Sequence, residues 1–352
     1  MDLEKLYYLV KDAIDTLDLQ KIWPGFKPLR FALYDDEKCF FAGKFIEKTD
    51  AFCANTSINF NGEQIAIWKV AQDLEIPVLA SKMVHEMFHG YQTVEGWQCW
   101  PDEIAALYNY EYVGENLTLK IRENEILLKL LDECDDQLIK ELLSIRSCRA
   151  KAFPHQFEYE TKVEEIEGTA NYVEWQVLKQ LAPEKAGELI NEMRSVMTRP
   201  GSMFPIRISC YYTGALLTDA FIRYIGYDFE TKDRPFIKSI LEKENVADSG
   251  NILFSGNNEE LENVRGVIDS FNKETESIIN SALELDEVVL GGPADLVYVN
   301  IYNARHLGNY LTSMFFLMYS TDGEQKMMPG HFVIRMKDEK TIDKAYRWPL
   351  EM

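Results

Sequence analysis

The sequence predicts an α+β fold in three successive parts: a small antiparallel sheet behind one amphipathic helix, a mainly helical middle, and a C-terminal α+β segment. Three observations carry this. Residues 29 to 70 alternate short β-branched and aromatic runs with turn formers, residues 101 to 227 keep helical periodicity, and beyond residue 258 one long helical pattern gives way to further strand-like runs. At 352 residues, 46% of them apolar, the chain supplies core for one large or two ordinary domains.

In order, Met1 to Leu19 spaces Leu3, Leu6, Tyr7, Val10, Ile14 and Leu17 along one side of a helix. Leu29 to Tyr34, Lys38 to Phe45, Ala51 to Phe60 and Gln64 to Val70 read as strands, the last two joined by Asn61-Gly62, a type I′ turn signal. Pro77 opens a helix whose apolar residues run to Gly90, where it is expected to stop. Helices are then expected over Glu103 to Ile121, Asn124 to Ser147, Tyr159 to Leu181, Pro183 to Met197 and Tyr211 to Ile225. The turn-rich stretch DSGNILFSGNN, Asp248 to Asn258, marks the expected boundary between domains 1–250 and 251–352. After it come a helix over Glu259 to Leu285 and strands at Val288 to Leu290, Leu296 to Tyr302, Leu311 to Tyr319 and His331 to Met336, with an Asp322-Gly323 turn.

A formal charge of -21 argues against nucleic acid and anionic membrane as partners, because phosphate binding needs clustered Lys and Arg. No run of about eighteen apolar residues and no secretory leader pattern is present, so a soluble, cytoplasmic protein is expected. Six scattered cysteines without a CxxC pair read as reduced structural thiols.

Chemistry concentrates at His85-Glu86-Met87-Phe88-His89, which uses two of only five histidines. Histidines four apart project from one helix face and can share a zinc ion, while the glutamate between them can act as general base on a water. A catalytic zinc needs a third protein ligand. The source is the stripe Glu160, Glu164, Glu167, Asn171 and Glu174, one face of a helix. Glu167 is preferred, because small Gly168 and Ala170 would let its helix approach the motif helix; Glu164 is the second choice. Asn171 could orient a ligating histidine, and Glu160 and Glu174 are expected to form a solvated acidic face.

HEMFH followed far downstream by EGTANY (Glu167 to Tyr172) resembles the gluzincin group of zinc metallopeptidases, in particular intracellular branches whose EGxAxY string supplies the glutamate ligand. The resemblance covers roughly residues 25 to 225. It implies a zincin-like fold, with a small sheet over the active-site helix and a helical lower half. Related families use a Tyr or His from a downstream helix to donate to the oxyanion. Here that points to Tyr211, with Tyr212 next, in the segment Ser209 to Gly214. Arg207 could bind a substrate carboxylate but reads as a surface residue.

His155, His306 and His331 are expected to lie away from the site, and Trp97 and Trp100 to pack or to line a pocket. Ile65 to Trp68 could present an exposed strand edge to a peptide backbone. The expectation is therefore zinc-dependent hydrolysis of a peptide or protein substrate, with His85, His89 and Glu167 as ligands, Glu86 as base and Tyr211 as oxyanion donor. The alternatives are a zinc hydrolase of a non-peptide amide or ester, and a non-catalytic, metal-stabilised protein that binds a peptide or other partner.

Overall fold

In the computed structural model of the chain the described residues are 2–71, 74–133, 135–226, 228–229, 232–244 and 258–349. They form an α+β fold: two sheets separated by a helical middle. The expected boundary stretch, apart from Asn258, lies outside the described residues. Among the described residues no helix is long and apolar enough to cross a membrane.

The first part holds α1 (Leu3–Asp15), the short α2 (Leu19–Ile22), β1 (Phe31–Tyr34), β2 (Cys39–Phe41), β3 (Lys44–Ile46), β4 (Thr56–Phe60) and β5 (Glu63–Lys69). The run expected as one strand from Lys38 to Phe45 is split by a turn in which Ala42 and Gly43 both take positive φ. Asn61 and Gly62 also have positive φ, at 54° and 84°, and close the β4–β5 hairpin as a type I′ turn requires. The sheet order is β3-β2-β1-β5-β4, and β5 runs parallel to β1, so the sheet is mixed rather than antiparallel. Strand β5 is therefore internal, which removes Ile65 to Trp68 as an exposed edge; the edges are β3 and β4.

Both faces of β1 are apolar because both are covered. Phe31 and Leu33 join the main core with Val84, Met87 and Phe88 of the following helix, while Ala32 and Tyr34 pack with Phe52, Ile65 and Ile67 on the other side. That helix, α3 (Ile76–Val94), lies under the sheet and continues past Gly90. A Cβ at Gly90 would sit 2.7 Å from Ser57 Oγ and strike the Leu29 side chain, so this glycine allows the helix to approach the sheet instead of ending it. The helix ends at Glu95, before Gly96 at φ 75°.

The middle contains α4 (Glu103–Asn109), α5 (Gly114–Leu130), α6 (Asp136–Ala152), α7 (Pro154–Val163), α8 (Thr169–Leu181), α9 (Pro183–Val196), α10 (Ile206–Ala220) and α11 (Phe236–Lys243). The first two expected helices are divided differently: the chain breaks at Tyr110 to Val113, and α5 then runs through Asn124. Between α7 and α8 the residues Glu164–Gly168 form a π turn, a second π turn at Phe221–Ile225 follows α10, and a 3-10 turn at Pro200–Met203 precedes it.

At the centre of this bundle Lys120, Arg146 and Arg149 meet Glu123, Glu160 and Glu164, each side chain 0 or 1% exposed. Three cations balance three carboxylates, the condition under which buried charge is tolerated. The cations hold Glu160 well below the usual carboxylate range against the opposing effect of burial. Glu160 is thus core and not solvated surface. Its stripe faces inward because α5 and α6 bring cations to it, which periodicity along one helix cannot reveal.

The last part begins with α12 (Asn258–Leu285), packed on α5 and on the second sheet. That sheet comprises β6 (Val288–Val299), β7 (His306–Leu307), β8 (Tyr310–Ser313), β9 (Phe316–Thr321), β10 (Glu324–Pro329), β11 (Phe332–Met336) and β12 (Thr341–Arg347), in the order β10-β9-β6-β12-β11-β8-β7. All its pairings are antiparallel, and Asp322-Gly323 turns β9 into β10. Ile104, Leu107 and Tyr108 of α4 pack on its core, which seats the sheet beside the helical middle.

Candidate metal centre

The imidazoles of His85 and His89 project from one face of α3, with Nε2 atoms 3.1 Å apart and ring planes at 81°. Glu167 reaches the same point from the π turn. Its Oε2 lies 3.2 Å from His89 Nε2 and 3.7 Å from His85 Nε2. Bonds of about 2.0–2.1 Å in a tetrahedral zinc site place neighbouring donors about 3.4 Å apart, so three donors at these spacings fit one face of such a site. Two imidazole nitrogens and one carboxylate oxygen are also the donor types that zinc takes in catalytic centres.

Electrostatics at this point favour positive charge. Burial would lower the His85 pKa, but the Glu167 and Glu174 carboxylates outweigh it and push it up to about 10. Glu174 Oε2 lies 3.1 Å from His85 Nδ1, at ion-pair distance without hydrogen-bond alignment, and Lys82 Nζ lies 3.4 Å from the other carboxylate oxygen. Glu174 is therefore part of the site, contrary to the expectation of a solvated position. Asn171, expected to orient a histidine, instead lines the cleft.

His89 is oriented by Gln92, whose Oε1 is 2.8 Å from Nδ1. Taking the Nδ1 proton there leaves the Nε2 lone pair turned to the shared point. Gln92 in turn donates from Nε2 to Ile166 O at 2.9 Å and Thr169 Oγ1 at 3.0 Å, tying α3 to the segment that carries Glu167. The signal was in the sequence, since Gln92 stands three residues beyond His89 and shares its helix face. Gln92→Leu is expected to weaken zinc binding about 10–100-fold, measured by competition with a chromogenic chelator, with little change in secondary structure.

Gly168, one of the two small residues beside Glu167, serves a different neighbour from the one expected. A Cβ on Gly168 would fall 2.7 Å from the Gly214 carbonyl carbon, and one on Gly214 would fall 2.6 Å from Glu164 O. Gly168 thus allows α10, not α3, to touch the π turn backbone to backbone. Glu164, the second choice as ligand, points into the ion cluster with Lys120 and Arg146. With Glu160 and Cys210 it forms a second donor group within 4.8 Å, but both carboxylates are already bound by cations and burial pushes the Cys210 thiol well up.

Glu167 Oε1 accepts from Arg207 Nη2 at 2.6 Å, leaving Oε2 for the histidines. Arg207 also pairs with Glu103, which accepts from Tyr159 OH at 2.8 Å. Arg207 is 6% exposed, so it is a buried support of Glu167 and not the surface residue expected. Its burial depends on Glu103, more than a hundred positions away in the chain, which no local pattern discloses.

Tyr211 OH accepts from Arg207 Nη2 at 3.1 Å and lies 3.2 Å from Tyr302 OH. Burial, reinforced by the Glu167 charge, raises its pKa strongly, so the phenol stays protonated and able to donate. Tyr212 OH donates to Glu192 at 2.9 Å. Burial likewise raises the Glu86 carboxyl, while His85 and His89 draw it back.

His85, Glu86, His89, Glu167, Asn171, Glu174, Arg207, Tyr211 and Tyr212 all line one cleft of about 880 Å³. Thr56 and Trp68 of the first sheet close one side, and Tyr298 and Phe316 of the second, with Tyr302 on the turn after β6, contribute to the wall, a role for residues beyond 257 that no motif announced. Trp97 is in the core, whereas Trp100 is exposed with its ring 6.3 Å from that of His89. His155 is exposed in the first turn of α7, His306 packs against Tyr108 with ring centroids 4.6 Å apart, and His331 accepts from the Phe315 backbone N–H. No protein-family model, curated protein or solved structure matches the chain.

Proposed function

We propose that this protein is a zinc-dependent hydrolase of peptide bonds, a gluzincin-like metallopeptidase with a zincin-like arrangement of sheet over motif helix. One observation carries the reading: His85 Nε2, His89 Nε2 and Glu167 Oε2 converge within 3.7 Å of one another in an open cleft. These three residues would hold zinc, which when bound supplies a Lewis acid and lowers the pKa of water.

Glu86, next to the first ligand on α3, takes the proton from the attacking water and returns it to the departing amine. Its place beside His85 on the same helix and in the same cleft lets one carboxyl serve both transfers. Tyr211, kept protonated, donates to the oxygen that gains charge as the carbonyl is attacked. Arg207 fixes both by binding Glu167 Oε1 and the Tyr211 hydroxyl.

The test is metal content followed by a peptide-library digest. Purified protein is expected to carry one zinc per chain and to cleave peptides, with a chelator abolishing cleavage and added zinc restoring it. Failure to retain stoichiometric zinc after metal loading would overturn the reading.

A further inference from the structure

We propose that the second sheet is the substrate-selecting wall of the cleft, with Tyr298, Tyr302 and Phe316 forming a platform for an aromatic side chain of a peptide that has no acidic neighbour to that residue. The choice of a peptide rests on the function proposed above.

The platform follows from the strand pattern. Strand β6 pairs with β9 through a register shift between Leu296 and Tyr298, and such a bulge re-aims side chains. Leu296 and Val299 face the sheet's core, while Tyr298 is turned out at 37% exposure. Its ring lies nearly parallel to that of Phe316, with 8° between planes and 6.5 Å between centroids. Tyr302, on the turn that follows β6, is 53% exposed, with its hydroxyl against Tyr211. Ile208 of α10, 37% exposed, continues the apolar surface on the same cleft.

Aromatic faces left open to water cost free energy, and their collection around one site marks a binding surface where single scattered residues would not. Flat rings at the mouth of a cleft fit another ring, by offset stacking or edge contact.

Charge narrows the occupant further. The cleft's two long cations are already bound, Lys82 to Glu174 at 3.4 Å and Arg207 to Glu167 at 2.6 Å. Glu86 and Glu192 also line it, and Glu192 is met by the Tyr212 hydroxyl, not by a cation. Away from the three converging donors, an acidic substrate side chain would therefore meet carboxylates, with no free cation among the described lining residues to receive it.

Binding to zinc-loaded Glu86→Gln protein tests this without requiring turnover. Three fluorescent peptides are compared: one with a central Phe, the same with Ala, and the Phe peptide with flanking Asp. The Phe peptide is expected to bind about 10-fold or more tightly than either of the others. Adding Tyr298→Ala and Phe316→Ala, both on the open face of the sheet, is expected to erase the Phe-over-Ala preference while zinc content and circular dichroism stay as before. Equal binding of Phe and Ala peptides, or a preference that survives the double substitution, would overturn the proposal. Phe preference without cleavage by the unaltered protein keeps the wall and removes the peptidase; cleavage without preference does the reverse.

Discussion

Glu86→Gln protein is expected to bind zinc as tightly as the unaltered chain and to cleave peptides about 10²–10⁴-fold more slowly. The substitution keeps size and helix propensity, and Glu86 is not among the three converging donors, so those donors keep their positions. What is lost is the only carboxylate of the motif that can accept a proton in the cleft. Metal analysis and steady-state kinetics on the same preparation separate the two effects. A variant that lost zinc would make Glu86 a structural residue, and one that kept full activity would remove it as the base.

The second large effect separates the two glutamates that the sequence left in competition. Glu167→Gln is expected to lower zinc affinity by more than about 100-fold, beyond the range that supporting residues reach, with the fold retained because Arg207 keeps Glu103. Glu164→Gln is expected to leave the three converging donors intact and to cost about 3–5 kcal/mol of stability, because it strips a carboxylate from Lys120 and Arg146 in a fully buried cluster. Chelator competition reads the first and urea denaturation the second. Exchanged outcomes would move the third ligand to Glu164.

The parts of this architecture that follow from local periodicity were legible in the chain. The α+β class, the two positive-φ turns at Asn61-Gly62 and Asp322-Gly323, and the helix bearing His85 and His89 all depend on spacing within a few residues. Convergence depends on more than that. Glu167 could be singled out among the glutamates of its stripe, but the π turn that carries it, and Gly214 as the true neighbour of Gly168, required the second helix to be in place. Glu160 and Glu174 were misread for one reason: a stripe of carboxylates shows its own face and not the cations or histidines opposite. The parallel β1–β5 pairing was likewise hidden, since each strand reads the same whichever way its neighbour runs. Strands β7, β10 and β12 had no counterpart among the expected strands, and the exposure of Tyr298 was hidden because an open aromatic on a strand looks like a core residue until its sheet is assembled.

The backbone contact between Gly168 and Gly214 has a consequence for how this cleft can change over time. Glu167 and Tyr211 sit on two segments joined where no side chain intervenes, so this main-chain contact, together with their shared bonds to Arg207, sets the offset between them. Tyr298 and Phe316 of the second sheet take no part in that contact, so exchanging them alters the wall of the cleft while the offset between Glu167 and Tyr211 is inherited unaltered.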